Sequence, residues 1–160
     1  MKKLGLISLM FLLLLSGCGN NKKQEEQIFI DETVKDEFED KDLEYSVMRK
    51  NAVILRCTNG DDLEELLYTS DKKLVVGTYA KGILRDLNNL ETAKNDLEVI
   101  LQEVYKCSYF DVQIVDDHLE YEYISTDIAS FANVGLNYTL NTIKEQREKA
   151  GYTCVVENEK

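Results

Sequence analysis

Four cysteines and one histidine have the most specific chemistry in this chain. Cys18 closes the stretch Leu15-Ser16-Gly17-Cys18, where a thiol behind small residues is open to covalent modification. Cys57, Cys107 and Cys154 lie far apart, and no Cys-x-x-Cys occurs. A zinc site needs three or four ligands, and a thiol nucleophile needs a base. His118 is the one imidazole on offer, and it follows Asp116-Asp117 in an expected hairpin turn, where a solvated role is the ordinary one. Two acidic groups, Asp61, Asp62, Glu64, Glu65 and Asp116, Asp117, Glu120, Glu122, lack the spacing that wraps carboxylates around calcium, so both read as solvated faces. The chain has neither a phosphate-binding glycine loop nor a Gly-x-Ser-x-Gly elbow. Tyr105, Tyr109, Tyr121 and Tyr123 read as core and sheet packing in preference to a stacking surface. No catalytic, cofactor or metal residue is assigned, and a non-enzymatic protein is expected.

The setting of Cys18 carries the clearest signal. Lys2-Lys3 opens the chain, an apolar run extends from Leu4 to Leu15, small residues follow, and the sequence then turns polar. The run is too short for a spanning helix, which needs roughly 20 residues. The layout resembles the lipobox of bacterial lipoproteins. That resemblance implies that residues 1–17 are a signal peptide removed on export and that the Cys18 thiol carries a diacylglyceryl group. The protein would then be lipid-anchored on the extracytoplasmic face of the cell membrane. Each buried methylene contributes about 0.8 kcal/mol, so two acyl chains make a firm tether where one binds reversibly. The competing reading is an ordinary signal peptide or N-terminal anchor that happens to contain a cysteine.

With Cys18 acylated, three thiols remain, which permits one disulfide and a free cysteine or no disulfide at all. Loop entropy separates the pairings little: the chain-entropy relation gives about 4.7 kcal/mol for 57–154 and about 4.1 kcal/mol for either shorter loop. Cys57 ends an expected strand, Cys154 lies in the expected last strand, and Cys107 follows a helix end. Placement therefore favours Cys57 with Cys154, and the absence of any bridge is the main rival.

The formal net charge is −11, and removing a signal that holds Lys2 and Lys3 makes it more negative still. An acidic chain lacks the basic patches that neutralise phosphate, so no nucleic-acid partner is expected. Direct adhesion to anionic lipid is disfavoured too, leaving the acyl group as the membrane contact. Residues 18–42 read as the lipidated cysteine followed by an acidic flexible tether, because high charge with few apolar residues cannot offset the entropy of ordering. Residues 43–160 read as a single domain.

Within that domain, Leu43, Tyr45, Val47 and then Val53, Leu55, Cys57 alternate with polar residues and predict two strands joined near Lys50-Asn51. Strands over 64–69 and 73–80 follow, with Ser70-Asp71-Lys72 as the turn. An amphipathic helix is expected over 89–106, its stripe formed by Leu90, Ala93, Leu97, Ile100, Leu101 and Val104 and its start capped by Asn88. Phe110, Val112, Ile114 and Leu119, Tyr121, Tyr123 predict a hairpin turning at Asp116-Asp117. A loop through 125–137, a helix near 140–150 with a Thr142/Glu145 capping box, and a last strand over 152–156 complete the pattern. The fold class is α+β: an antiparallel sheet of about five to seven strands with two helices packed on one face.

Leu55-Arg56-Cys57-Thr58, Ser70-Asp71-Lys72-Lys73-Leu74-Val75, the Val112–Tyr123 hairpin and Ala150-Gly151-Tyr152-Thr153-Cys154, taken with the lipobox, resemble the YehR-like family of small Gram-positive lipoproteins over about residues 50–156. The resemblance implies an α+β fold without assigned enzymatic chemistry, so no functional residue carries over. The expected role is a binding or envelope-accessory domain whose protein or small-ligand partner the sequence does not name. The alternative is an inhibitor or immunity-type lipoprotein that binds another protein through its acidic face.

Overall fold

A computed structural model describes residues 38–136 and 138–158. The expected signal segment, the lipidation site Cys18 and the tether as far as residue 37 lie outside the described residues. Six strands form one antiparallel sheet: β1 (Val53–Asn59), β2 (Asp62–Tyr68), β3 (Val75–Leu84), β4 (Tyr109–Val115), β5 (His118–Ser125) and β6 (Thr153–Glu157), in the order β4-β5-β3-β2-β1-β6. Four helices accompany it: α1 (Leu43–Asn51), α2 (Leu90–Val99), α3 (Ile128–Asn133) and α4 (Leu140–Lys149), with a π turn over Ile100–Val104 at the end of α2. The α+β class and the strand number are as expected. The helical layer is larger than expected and covers both faces.

Neighbouring residues of one strand fall into different core clusters, which defines the two faces. Val53, Leu55, Leu66, Val112 and Tyr123 pack with Leu97 and Leu101 of the α2 segment, Phe131 of α3, and Leu140 and Ile143 of α4. Ile54, Leu67, Tyr79 and Ile124 pack instead with Tyr45 of α1 and with Phe38. Runs such as Val53-Ile54-Leu55 and Leu66-Leu67-Tyr68 are apolar without alternation because both sides of those strands are covered.

The segment expected as a first strand is α1. Tyr45, Met48 and Arg49 share the spacing of one helical face, and the Asp42 carboxylate accepts the Tyr45 N–H at 2.9 Å, capping the start. Tyr45 reaches the sheet because Gly77 has no side chain: a Cβ there would lie 3.2 Å from the Tyr45 ring. Ordered packing also begins ahead of Leu43, since Phe38 is buried between Tyr45 and Tyr79, with ring centroids 5.1 and 4.9 Å away. The last five residues of the expected tether are thus part of the folded unit.

The long helix starts one residue later than expected, capped by Asn89, whose side chain accepts the Thr92 N–H at 3.0 Å. Its buried residues Leu97, Leu101 and Tyr105 are spaced by four. A regular helix would rotate such a set by about 40° per step. The π turn, closed by Tyr105 N–H donating to the Ile100 carbonyl at 3.1 Å, takes up the excess and keeps Tyr105 inward.

The expected loop over 125–137 contains α3, capped by Asp127. Ser125 and Ser130 hydroxyls both donate to the Tyr105 carbonyl, at 2.6 and 2.8 Å, and tie α3 to the end of the π turn. Thr142 lies inside α4, not at its cap, and the Leu140 N–H donates to the Lys72 carbonyl at 3.0 Å. The hairpin of β4 and β5 has the expected register: Phe110 opposite Tyr123, Val112 opposite Tyr121 and Ile114 opposite Leu119.

Cys57 and Cys154 sit directly opposite each other on β1 and β6, with Cα atoms 4.1 Å apart, and form a disulfide. Cys107 is a half-buried free thiol.

Candidate functional site

Helix α1 and the Phe38–Asp42 segment cover only part of the second sheet face. The uncovered part is an open depression of about 390 Å³ over β3, β5 and β4, lined by Asp61, Lys81, Asp111, Gln113, Glu120 and Glu122. The register builds it. Lys81 of β3 lies opposite Glu122 of β5, which lies opposite Asp111 of β4; one step along, Ile83, Glu120 and Gln113 make the next row. Period-2 alternation sends these side chains to the face that α1 only partly covers, while Tyr121 and Tyr123 pack on the face covered by α2, α3 and α4.

Glu122 is the best-held group of the depression. It accepts hydrogen bonds from Lys41 Nζ at 2.6 and 2.7 Å, from the Tyr79 hydroxyl at 2.7 Å and from the Tyr109 hydroxyl at 3.2 Å. Lys41 Nζ also lies 5.4 Å from the Tyr109 ring centroid. Partial burial acts to raise the Glu122 carboxyl, but these donors outweigh it and hold the group below the usual glutamate range. Gln113 Nε2 donates to Asp111 at 2.7 Å, and Arg85 approaches Asp61 at 3.4 Å.

Glu65 borders the covered half and is fully buried. It accepts from the Tyr45 hydroxyl at 2.9 Å, from Arg49 Nε at 2.6 Å and from Arg56 Nη2 at 2.8 Å. Glu64, the adjacent residue, faces the other way and pairs with Arg147 of α4, whose Nη2 donates at 2.7 Å. The expectation of a solvated acidic face therefore fails for Glu64 and Glu65. Adjacent strand residues face opposite sides, and here both sides are covered. Arg49, Arg56, Arg147, Lys41, Lys81 and Asp111 have no motif to mark them; strand register places Arg56, Lys81 and Asp111, and the packing of α1, α4 and the segment ahead of α1 onto the sheet brings in Arg49, Arg147 and Lys41.

Around Glu64 and Arg147 the tyrosines act as packing groups. The Tyr105 and Tyr123 rings lie 5.5 Å apart and those of Tyr121 and Tyr123 lie 6.3 Å apart. Tyr109 packs against the cluster on the other face, beneath Phe38 and α1, with its hydroxyl on Glu122. His118 approaches Asp117 at 3.2 Å and Glu120 at 3.4 Å, both exposed carboxylates at the hairpin turn. Burial pushes the Cys107 thiol up to about 12, so it is protonated at neutral pH and a poor nucleophile. Among the described residues no three His, Cys, Asp or Glu side chains come together as a metal-holding group. The charged side chains of the depression are mostly anionic and suit cationic or hydrogen-bonding groups, and Ile83 adds an apolar patch to its lining.

No protein-family model, curated protein or solved structure matches this chain.

Proposed function

We propose that the protein is a lipid-anchored extracytoplasmic lipoprotein acting as a non-enzymatic binding domain. The anchor reading rests on Leu15-Ser16-Gly17-Cys18 behind Lys2-Lys3 and a short apolar run. The binding reading rests on one observation: the sheet face beyond α1 is left open, and its exposed side chains Lys81, Asp111, Gln113 and Glu120 have the Glu122 cluster at their centre. The depression's carboxylates favour the second reading of the same face, an inhibitor-type protein whose partner presents basic side chains.

Two experiments test these parts separately. Cys18→Ala should move the protein from the membrane fraction to the soluble extracytoplasmic fraction, and unchanged partitioning would remove the anchor. Cross-linking on intact cells, with wild type beside an Asp111→Lys/Glu120→Lys variant, tests the face. Adducts seen with wild type should weaken by roughly tenfold in the charge-reversed protein if a basic partner docks there. Adducts that persist at full yield would place binding elsewhere on the domain.

A further inference from the structure

Four of the six large apolar side chains exposed among the described residues gather at one end of the sheet. Leu74 (44 % exposed) closes the turn between β2 and β3, and Ile128 (57 %) opens α3 after β5. Val104 (37 %) ends the π turn that leads to β4, and Leu43 (64 %) opens α1. The antiparallel register puts the starts of β1, β3 and β4 and the ends of β2 and β5 together there. The Asp42 carboxylate accepts from the Ser108 hydroxyl just before β4, so the chain also enters the fold at this end. The opposite end, made by the β1–β2 and β4–β5 turns and the close of β3, carries Asp61, Asp62, Asp86, Asp116, Asp117 and Glu120.

We infer that the end bearing Leu43, Leu74, Val104 and Ile128 rests on the bilayer that holds Cys18, with the acidic end and the open depression turned outward. The inference rests on the lipid-anchor reading proposed above. Residues 18–37 span at most about 70 Å, so the anchored domain stays within reach of the surface. Four separated aliphatic side chains are too few to bring a free protein to a membrane. A tether that raises the effective concentration to the millimolar range makes such weak contacts count. Charge separates the two ends only weakly: anionic headgroups repel the acidic end, while at the apolar one Lys73 and Lys106 are offset by Asp71 at 3.6 Å and Glu103 at 3.4 Å. Contact at the tether's own end also leaves the depression free for a partner approaching from outside.

The chain has no tryptophan, so single reporters are unambiguous. Full-length lipidated Leu74→Trp, Ile128→Trp and Asp117→Trp proteins, reconstituted in phosphatidylglycerol vesicles with brominated acyl chains, measure which end meets lipid. Quenching should be at least about twofold stronger at positions 74 and 128 than at 117, with blue-shifted emission at the first two. Two reporters at the apolar end keep the measurement decisive where one substitution disturbs folding. Equal quenching at all three positions, or the strongest at 117, in protein that floats with the vesicles overturns the orientation and leaves the anchor standing. Lipid-free protein that stays behind on flotation overturns both.

Discussion

Glu65→Ala is expected to destabilise the domain by about 3–5 kcal/mol, because removing one member of a buried ion cluster leaves its partners desolvated and unpaired. At this chain length that corresponds to a fall in melting temperature of roughly 10–20 °C. The carboxylate, on β2, takes donors from two other elements: Tyr45 and Arg49 of α1, and Arg56 of β1. Its loss strands the buried Tyr45 hydroxyl and removes the carboxylate that Arg49 and Arg56 share. Arg56 keeps a contact with Glu157 at 3.5 Å, while the attachment of α1 to the sheet loses its polar centre. The damage should therefore concentrate on α1 and Phe38, and amide exchange in residues 43–51 should accelerate ahead of the helices on the other face.

The pH dependence has a defined sign. Burial alone would raise the Glu65 carboxyl, but hydrogen bonds from Arg49 and Arg56 outweigh it and hold the group below the usual glutamate range. A carboxyl lower in the folded than in the unfolded state contributes stability above its unfolded value, near 4.3, and loses it as pH falls through the folded value. Wild type should then lose stability steeply below about pH 4, and Glu65→Ala should show a shallower acid limb. Denaturation by urea at pH 7 and pH 3 measures this. An equal gap between wild type and variant at both values would mean that the ionised carboxylate is not what holds the cluster together.

What could be read from the sequence, and what could not, follows physical range. Elements fixed by local pattern were legible: the β4–β5 hairpin from strict alternation around Asp116-Asp117, α4 from its stop at Gly151, and the amphipathic helix from its stripe. Sites set by pairing between distant strands were not. Glu64-Glu65 looks like a solvated acidic pair until the register shows one residue under α1 and its neighbour under α4. The segment 43–47 satisfies period 2 and the helical spacing equally over so few residues, and only the Asp42 cap with the fit of Tyr45 onto Gly77 decides for a helix. The depression depends on Lys81, Glu122 and Asp111 meeting across β3, β5 and β4, positions at least 11 residues apart in the sequence. By contrast, placement alone favours the Cys57–Cys154 pairing over the alternatives, since Cys57 ends one expected strand and Cys154 lies in the last, which a sheet can bring side by side.

Replacing that disulfide, as C57A/C154A, is expected to cost about 2–5 kcal/mol, the upper part of the range being favoured by the long loop it closes. The two cysteines are 97 residues apart, so nearly the whole described fold lies between them. The effect acts chiefly on the unfolded chain, which gains freedom once the link is gone. The folded sheet should persist, because β6 keeps its five-residue antiparallel register with β1 and Val156 still packs against the core. Urea midpoints should therefore fall together for the reduced wild type and the alanine variant, with unchanged spectra below the transition. An unshifted midpoint would mean that the link restricts nothing in the unfolded state. Thiol counting on unfolded, unreduced protein supplies the covalent check. Of Cys57, Cys107 and Cys154, only Cys107 should react once unfolding removes the burial that raises its thiol. Three reactive thiols would rule out the bridge. A domain this dependent on an oxidised pair would be most stable outside the reducing cytosol, the same side of the membrane to which a lipid on Cys18 would hold it.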